Sequence, residues 1–278
     1  MRVDWHRLVG VSIADVVTGC PFDVVTEMEL AKYKKRLDIA VIRRPGDSDD
    51  DRTHWPDLPD GLTDLVSHNL LTYRSIHDSL SMPIMWELLE YWISYAKETW
   101  SDKWDTTITP PAKDWRLYAV ATVKPNWLRP DKHGNQRQIM DGIYEVDGFD
   151  LTIRVIVPRE VVLIPRNSMW HVFSGIEDRV AFGMRHYEFH DGGLYNVLNV
   201  LAENYEMEGI EMPYTIEDFK RDSINDMIEK HGLAEVLQHV SPADRVSGLS
   251  LEDRLEGLPQ DFVEACRRML EKDAGPRQ

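Results

Sequence analysis

Residues 30–75 hold the residue types and spacing with the clearest chemical use. Arg36-Leu37-Asp38-Ile39-Ala40-Val41-Ile42 and His68-Asn69-Leu70-Leu71-Thr72-Tyr73-Arg74-Ser75 read as two core strands joined by a long excursion. The first carries a carboxylate, Asp38, and the second a cation, Arg74. A carboxylate and a cation on neighbouring strands are what a metal-dependent phosphodiesterase uses. The carboxylate helps hold the metal, and the cation meets charge on the phosphate. Alternation puts Leu37, Ile39 and Val41 on one face and Asp38, Ala40 and Ile42 on the other. Asp38 is thus flanked by apolar residues in a central segment, and needs a metal or a cation as partner.

The flanking elements must position these groups. Trp5, Leu8, Val9, Ser12, Ile13, Val16 and Val17 recur at helical spacing, which predicts an amphipathic helix over residues 4–18 with Asp4 as N-cap. Gly19 and Pro21 stop it. Phe22 to Leu30 alternates as a strand and pairs with the Asp38 strand as an antiparallel hairpin. Residues 69–75 form a third strand. A helix over Pro83–Trp100 follows, with Pro83 in its first turn and Met85, Leu88, Leu89, Trp92, Ile93 and Tyr95 as its buried stripe. The aromatic residues of Trp86-Glu87-Leu88-Leu89-Glu90-Tyr91-Trp92 are read as core, not as a base-stacking platform. Residues 115–123 form a further strand. The order is helix, three strands, helix, strand.

Between the two central strands, residues 45–63 hold Asp47, Asp49, Asp50, Asp51, Asp57 and Asp60 among Pro and Gly. This reads as a solvated surface loop, since the spacing does not fit a calcium loop. In the second half, Gly142 to Val157 predicts two strands around Asp147-Gly148, and Val161 to Pro165 extends the sheet. Residues 179–189, 194–207, 216–230 and 260–272 read as helices, and a nine-residue echo over 243–260 as short helical turns.

Composition bounds the class. The chain has 278 residues, 42% of them hydrophobic, enough for a sizeable core. No apolar run is long enough to cross a bilayer, and no signal-peptide pattern opens the chain. Cys20 and Cys266 lie far apart without metal-ligand spacing, so a reduced, cytoplasmic protein is expected. The net charge of −16 speaks against a broad, passive nucleic-acid surface. It leaves room for a nuclease, because a bound divalent metal reverses the local field.

Four stretches together resemble a known family: Asp4-Trp5-His6-Arg7-Leu8, the hairpin ending Arg36-Leu37-Asp38, Asn69-Leu70-Leu71-Thr72-Tyr73-Arg74-Ser75, and Glu87-Leu88-Leu89. Glu208 to Phe219 and Arg254-Leu255-Glu256-Gly257-Leu258 are similar too. The family is a bacterial group of PD-(D/E)XK proteins described as transposase-like or recombination-promoting nucleases. The resemblance implies an α/β, restriction-endonuclease-like mixed sheet flanked by helices over residues 1–125. An α+β C-terminal extension with a helical tail follows over residues 126–278. It also implies Mg²⁺ or Mn²⁺ as cofactor, DNA as substrate, and a link to mobile elements or defence; a protein partner or homodimer is a further expectation.

Carried over by position, Asp38 matches the second-strand metal ligand. Thr72 stands where the third-strand acid belongs, and Arg74 where the lysine belongs. Thr offers only a neutral oxygen, and Arg holds its proton too firmly to act as a base. Either Glu27, Glu29, Asp78 or Glu87 completes the metal site, or the site has decayed and the fold serves as a non-catalytic scaffold or regulatory partner. His186 and His190 flank Glu188 at helical spacing but lack a third ligand. No nucleophile elbow, Walker A or Rossmann pattern occurs.

Overall fold

The computed structural model describes residues 5–30, 35–46, 55–99, 111–128, 136–148 and 151–187, with shorter stretches and single residues beyond. Helix α1 (Trp5–Val16) buries Leu8, Val9, Ile13 and Val16, as its spacing predicts, and ends before Gly19 at φ +91°. At Gly10 a Cβ would stand 2.4 Å from Thr26 Cγ2, so this helix lies close against the first strand. Strands β1 (Phe22–Leu30) and β2 (Lys35–Arg43) form the expected antiparallel hairpin. Strand β3 (His68–Arg74), helix α2 (Met82–Thr99) and strand β4 (Trp115–Ala121) follow in the expected order.

Three more strands complete the sheet: β5 (Gln136–Met140), β6 (Ile143–Gly148) and β7 (Leu151–Ile156). The spatial order is β1-β2-β3-β4-β7-β6-β5. Pairs β3–β4 and β4–β7 are parallel and the rest antiparallel. Helices flank the sheet, so the class is mixed α/β. The strands beyond residue 125 belong to the same sheet as β1–β4. Residues 1–219 form one compact unit and residues 220–278 a second, within which the helix Leu233–Gln238 is described.

Two apolar clusters sandwich the sheet. One joins α1 to Ile39, Val41, Leu71, Tyr73, Tyr118 and Val120; the other joins α2 to Ala40, Leu70, Leu117, Ala119, Ile153 and Val155. After β7, short helix α3 (Ser168–Val172) and helix α4 (Glu177–His186) close the first cluster with Trp170, Phe173, Val180 and Met184.

Several expectations are corrected. Leu37 does not share the face of Ile39; it packs with Ala40 in the α2-side cluster. The cause is a break in strand pairing at Glu27 and Asp38, described below. Residues 161–165 form no strand: Val161 is buried, but Val162 and Leu163 are exposed before a 3-10 turn at Pro165–Asn167.

The acidic loop is not solvated throughout. Leu58, Asp60, Leu62 and Leu65 are buried. Asp60 accepts from Asn167 Nδ2 at 2.7 Å and Arg166 Nη2 at 2.6 Å, while its amide donates to Asn167 Oδ1 at 2.8 Å. Asp64 accepts from Arg116 and Arg154, and Arg154 also reaches Glu145 at 2.7 Å. Trp86 is 60% exposed rather than core. Asp4, Glu188 and His190, all of the predicted 194–207 helix except Leu201 and Tyr205, most of the 216–230 helix and nearly all of residues 243–272 lie outside the described residues.

Candidate active site

The site forms where β2 parts from both neighbours. Pairing of β1 with β2 runs Thr26↔Ile39 and then Met28↔Leu37, skipping Glu27 and Asp38. Glu27 takes a left-handed φ of +52°, which breaks the ladder locally. On the other side, β2–β3 pairing ends at Ile39↔Leu71. One step further, the Asp38 side chain replaces the backbone ladder. Its Oδ2 accepts from the Thr72 hydroxyl at 2.8 Å and from the Tyr73 amide at 3.1 Å. The carboxylate is therefore fixed by main chain as well as side chain.

Two cationic or ionisable groups converge on the same oxygen. His6 Nδ1, from the first turn of α1, lies 3.1 Å from Asp38 Oδ2, and Arg74 Nη1 lies 3.7 Å from it. Burial opposes the charge on Asp38. The His6 contact, the Thr72 hydroxyl and the Tyr73 amide outweigh it and hold the carboxyl below its ordinary pKa. All of these contacts use Oδ2, so among the described residues Oδ1 has no protein partner. Arg74 also donates from Nη1 to the Tyr73 carbonyl at 2.9 Å. Its Nε and Nη2 make no hydrogen bond to another described residue and can donate to an anion.

Helix α2 closes the second side. Tyr91 donates to Glu87 Oε1 at 2.7 Å, one helical turn away. Burial, that Glu87 bond and the nearby Asp38 charge raise the Tyr91 pKa, and the Arg74 charge opposes the rise. The field of Asp38 and Arg74 thus reaches the Glu87–Tyr91 pair.

The structure brings Asp38, Thr72 and Arg74 together and sets Glu87 on the neighbouring helix. Glu27 lies at the interruption opposite Asp38 on β1, with its side chain exposed. Glu29 pairs with Arg36 through the backbone; its side chain lies outside the described residues. Asp78 is exposed in the turn after β3, where it meets Ser75 Oγ at 3.4 Å, and it does not join the group. Sequence reasoning treated Thr72 as a weak substitute ligand; here it is a donor that orients Asp38. It assigned no role to His6, whose contact is formed only when α1 packs on the sheet. The Tyr91–Glu87 link was readable from its helical i, i+4 spacing.

Of the His186, Glu188 and His190 group, only His186 is described. Its Nδ1 lies 2.9 Å from the Phe182 carbonyl, with the two rings stacked. Among the described residues no group of three His, Cys, Asp or Glu side chains is placed to hold a metal. No described helix is long and apolar enough to cross a membrane. No protein-family model matches the chain, and no curated protein and no solved structure is significantly similar to it.

Proposed function

We propose that the Asp38 site is the centre of a restriction-endonuclease-like domain and hydrolyses phosphodiester bonds of DNA with Mg²⁺ or Mn²⁺. The observation that carries this reading is the division of labour at Asp38. One carboxylate oxygen accepts two hydrogen bonds and lies beside His6 and Arg74, while the other has no partner among the described residues and neighbours an arginine with spare donors. Support also comes from the element order α1-β1-β2-β3-α2-β4, with the carboxylate at the point where the central strands separate.

The donor set suits a hard divalent cation. Mg²⁺ commonly takes one or two carboxylates and fills its remaining positions with water and substrate phosphate. Asp38 Oδ1 and Glu87 would be its protein ligands. Such an ion supplies an activated water at neutral pH and neutralises charge on the phosphate. The chain's own residues do the rest. Thr72, the Tyr73 amide and His6 keep Asp38 ionised and oriented. Arg74 binds a non-bridging phosphate oxygen and, always protonated, stabilises charge without accepting a proton. Tyr91 fixes Glu87 through its bond to Oε1.

A second reading, a catalytically inactive nuclease-fold scaffold or regulatory partner, is favoured by one fact. Asp38 Oδ2 is already satisfied inside the protein, as a purely structural carboxylate would be. Cleavage of plasmid and single-stranded DNA with Mg²⁺ or Mn²⁺ separates the two. Loss of cleavage in Asp38→Asn, with cleavage retained in Ile139→Ala on the exposed edge strand β5, supports hydrolysis. A folded wild type that cleaves neither substrate, and whose melting temperature ignores both metals, refutes it in favour of the scaffold.

A further inference from the structure

A cleft of about 240 Å³ lies where four segments distant in sequence meet. They are the end of α1, the proline-bearing loop before β3, the turn Pro165–Asn167 with α3, and the end of α4. All of them belong to the unit of residues 1–219. The apolar part of the lining is Val16, Met169, Tyr187 and three prolines. The Tyr187 hydroxyl donates to Asp15 Oδ2 at 3.0 Å, so its ring is what remains for a ligand.

Two opposite charges share this cleft. Arg166 donates from Nη2 to Asp60 Oδ1 at 2.6 Å, and Asp60 is 3% exposed and itself held by Asn167. The guanidinium is thus fixed from inside the protein. That is its one hydrogen bond among the described residues, so Nε and Nη1 keep their donors. Asp57 Oδ1 stands 3.6 Å from Arg166 Nη1, beyond hydrogen-bond range. The Asp57 side chain is 75% exposed and accepts no hydrogen bond from another described residue. A fixed cation and a carboxylate therefore lie side by side, each with hydrogen-bonding capacity left, in a cleft whose other walls are largely apolar.

A lone anion would meet the charges of Asp57 and Asp60 here, and a lone cation would meet Arg166. A zwitterion with both charges on one carbon meets neither obstacle. Its carboxylate takes the spare guanidinium donors, its ammonium takes Asp57, and the four charges close a ring of alternating sign. Being neutral overall, it is neither drawn nor repelled by the net charge of −16. The volume is below that of pockets for drug-sized ligands and suits a single small molecule. We propose that this cleft binds a free α-amino acid with an apolar side chain, its head group on Arg166 and Asp57 and its side chain against Val16, Met169 and the Tyr187 ring. Such binding is independent of the Asp38 site and of phosphodiester hydrolysis.

The test is calorimetric titration of the full chain with L-methionine, L-leucine and L-phenylalanine, beside N-acetyl-L-methionine and L-methionine amide, each of which lacks one head-group charge. At least one free amino acid is expected to bind with a Kd of about 1 mM or tighter. Each blocked derivative should bind about ten-fold or more weakly than L-methionine, the worth of a hydrogen bond to a charged group. Asp57→Asn should weaken the free amino acid by a similar factor, leave N-acetyl-L-methionine unaffected, and melt as wild type does. Arg166→Lys, which keeps a charge for Asp60 but loses the planar fork, should weaken the free amino acid too. Absence of binding by all three amino acids overturns the assignment. Blocked derivatives that bind as tightly as L-methionine, or an affinity unchanged in a folded Asp57→Asn, overturn it as well, because the head group is then not what the cleft reads.

Discussion

Thr72→Val tests the geometry at Asp38 through stability alone. Valine keeps the size and β-branching of threonine and removes only the hydroxyl that donates to Asp38 Oδ2 at 2.8 Å. Thr72 is 2% exposed, so water cannot replace the lost donor freely. A hydrogen bond to a charged acceptor is worth about 1.5–3 kcal/mol. For a cooperative unit of this size that corresponds to a fall of roughly 3–10 °C in melting temperature. The pH dependence is the sharper signature. Asp38 is held below the ordinary carboxyl pKa in the folded protein. Its contribution is therefore full above the unfolded value of about 3.9 and is lost as pH falls through the folded value. Once Asp38 is protonated, the Thr72 bond is neutral and worth about 1 kcal/mol. Urea unfolding of wild type and variant from pH 7 downward should thus show a stability gap that narrows toward acid, with unchanged m-values. A gap under about 0.5 kcal/mol at pH 7, or one that stays constant with pH, would show that the hydroxyl does not serve an ionised Asp38.

Three further outcomes follow from named contacts. Arg74→Ala should lower cleavage by roughly 10²-fold while leaving any metal-dependent shift in melting temperature intact, because Arg74 serves the phosphate and not the ion; single-turnover assays with parallel thermal melts check both halves. Asn167→Ala removes three hydrogen bonds, two buried ones to Asp60 and a partly buried one to the Val162 carbonyl, and should cost about 3–5 kcal/mol in urea unfolding. Burial holds His171 at a pKa of about 4, against the bond it makes to Val162; the unfolded chain then binds the extra proton first. Stability from this site is full above about pH 6.5 and is lost as pH falls toward 4, so NMR should find the His171 ring neutral at pH 6 and His171→Asn should flatten that part of the pH–stability curve.

Strand β1 and helix α2 were legible because each has one better-buried face, which writes a period into the sequence, whereas β2, β3 and β4, covered on both faces, were legible as nearly continuous apolar runs. Strand β5 was not. Its Gln136-Arg137-Gln138-Ile139-Met140 is a largely exposed edge with no buried row to mark it. Helix α3 is buried at all five of its residues, so it has no polar side and no helical period. The run at Val161 misled for the opposite reason: it is apolar, yet two of its members face solvent. At the site, Asp38 and Arg74 were readable as neighbours across two strands. The directions of the contacts were not, because they depend on the break at Glu27, which gives a non-glycine residue a backbone conformation its type does not announce. The anchoring of Asp60 and Asp64 was hidden inside a run of aspartates. The spacing of Leu58, Leu62 and Leu65 was the signal that part of this loop is core.

Those two anchors bear on how the chain is made. Asp64 is held by Arg116 and Arg154, and Asp60 by Arg166 and Asn167, with Trp170 donating to the Asp60 carbonyl at 2.9 Å. A nascent chain ending near residue 125 has made β1–β4, but the lysine- and arginine-poor segment that must seat against them has only Arg116 to hold it. Residues emerging some forty positions later complete the clamp. The N-terminal half should therefore wait on the ribosome, incompletely consolidated, until the strands β6 and β7 and the turn before α3 have been synthesised. A fragment cut at residue 125 would be trapped at that stage, open to proteolysis in the stretch around Leu58–Leu65 that the finished protein keeps shut.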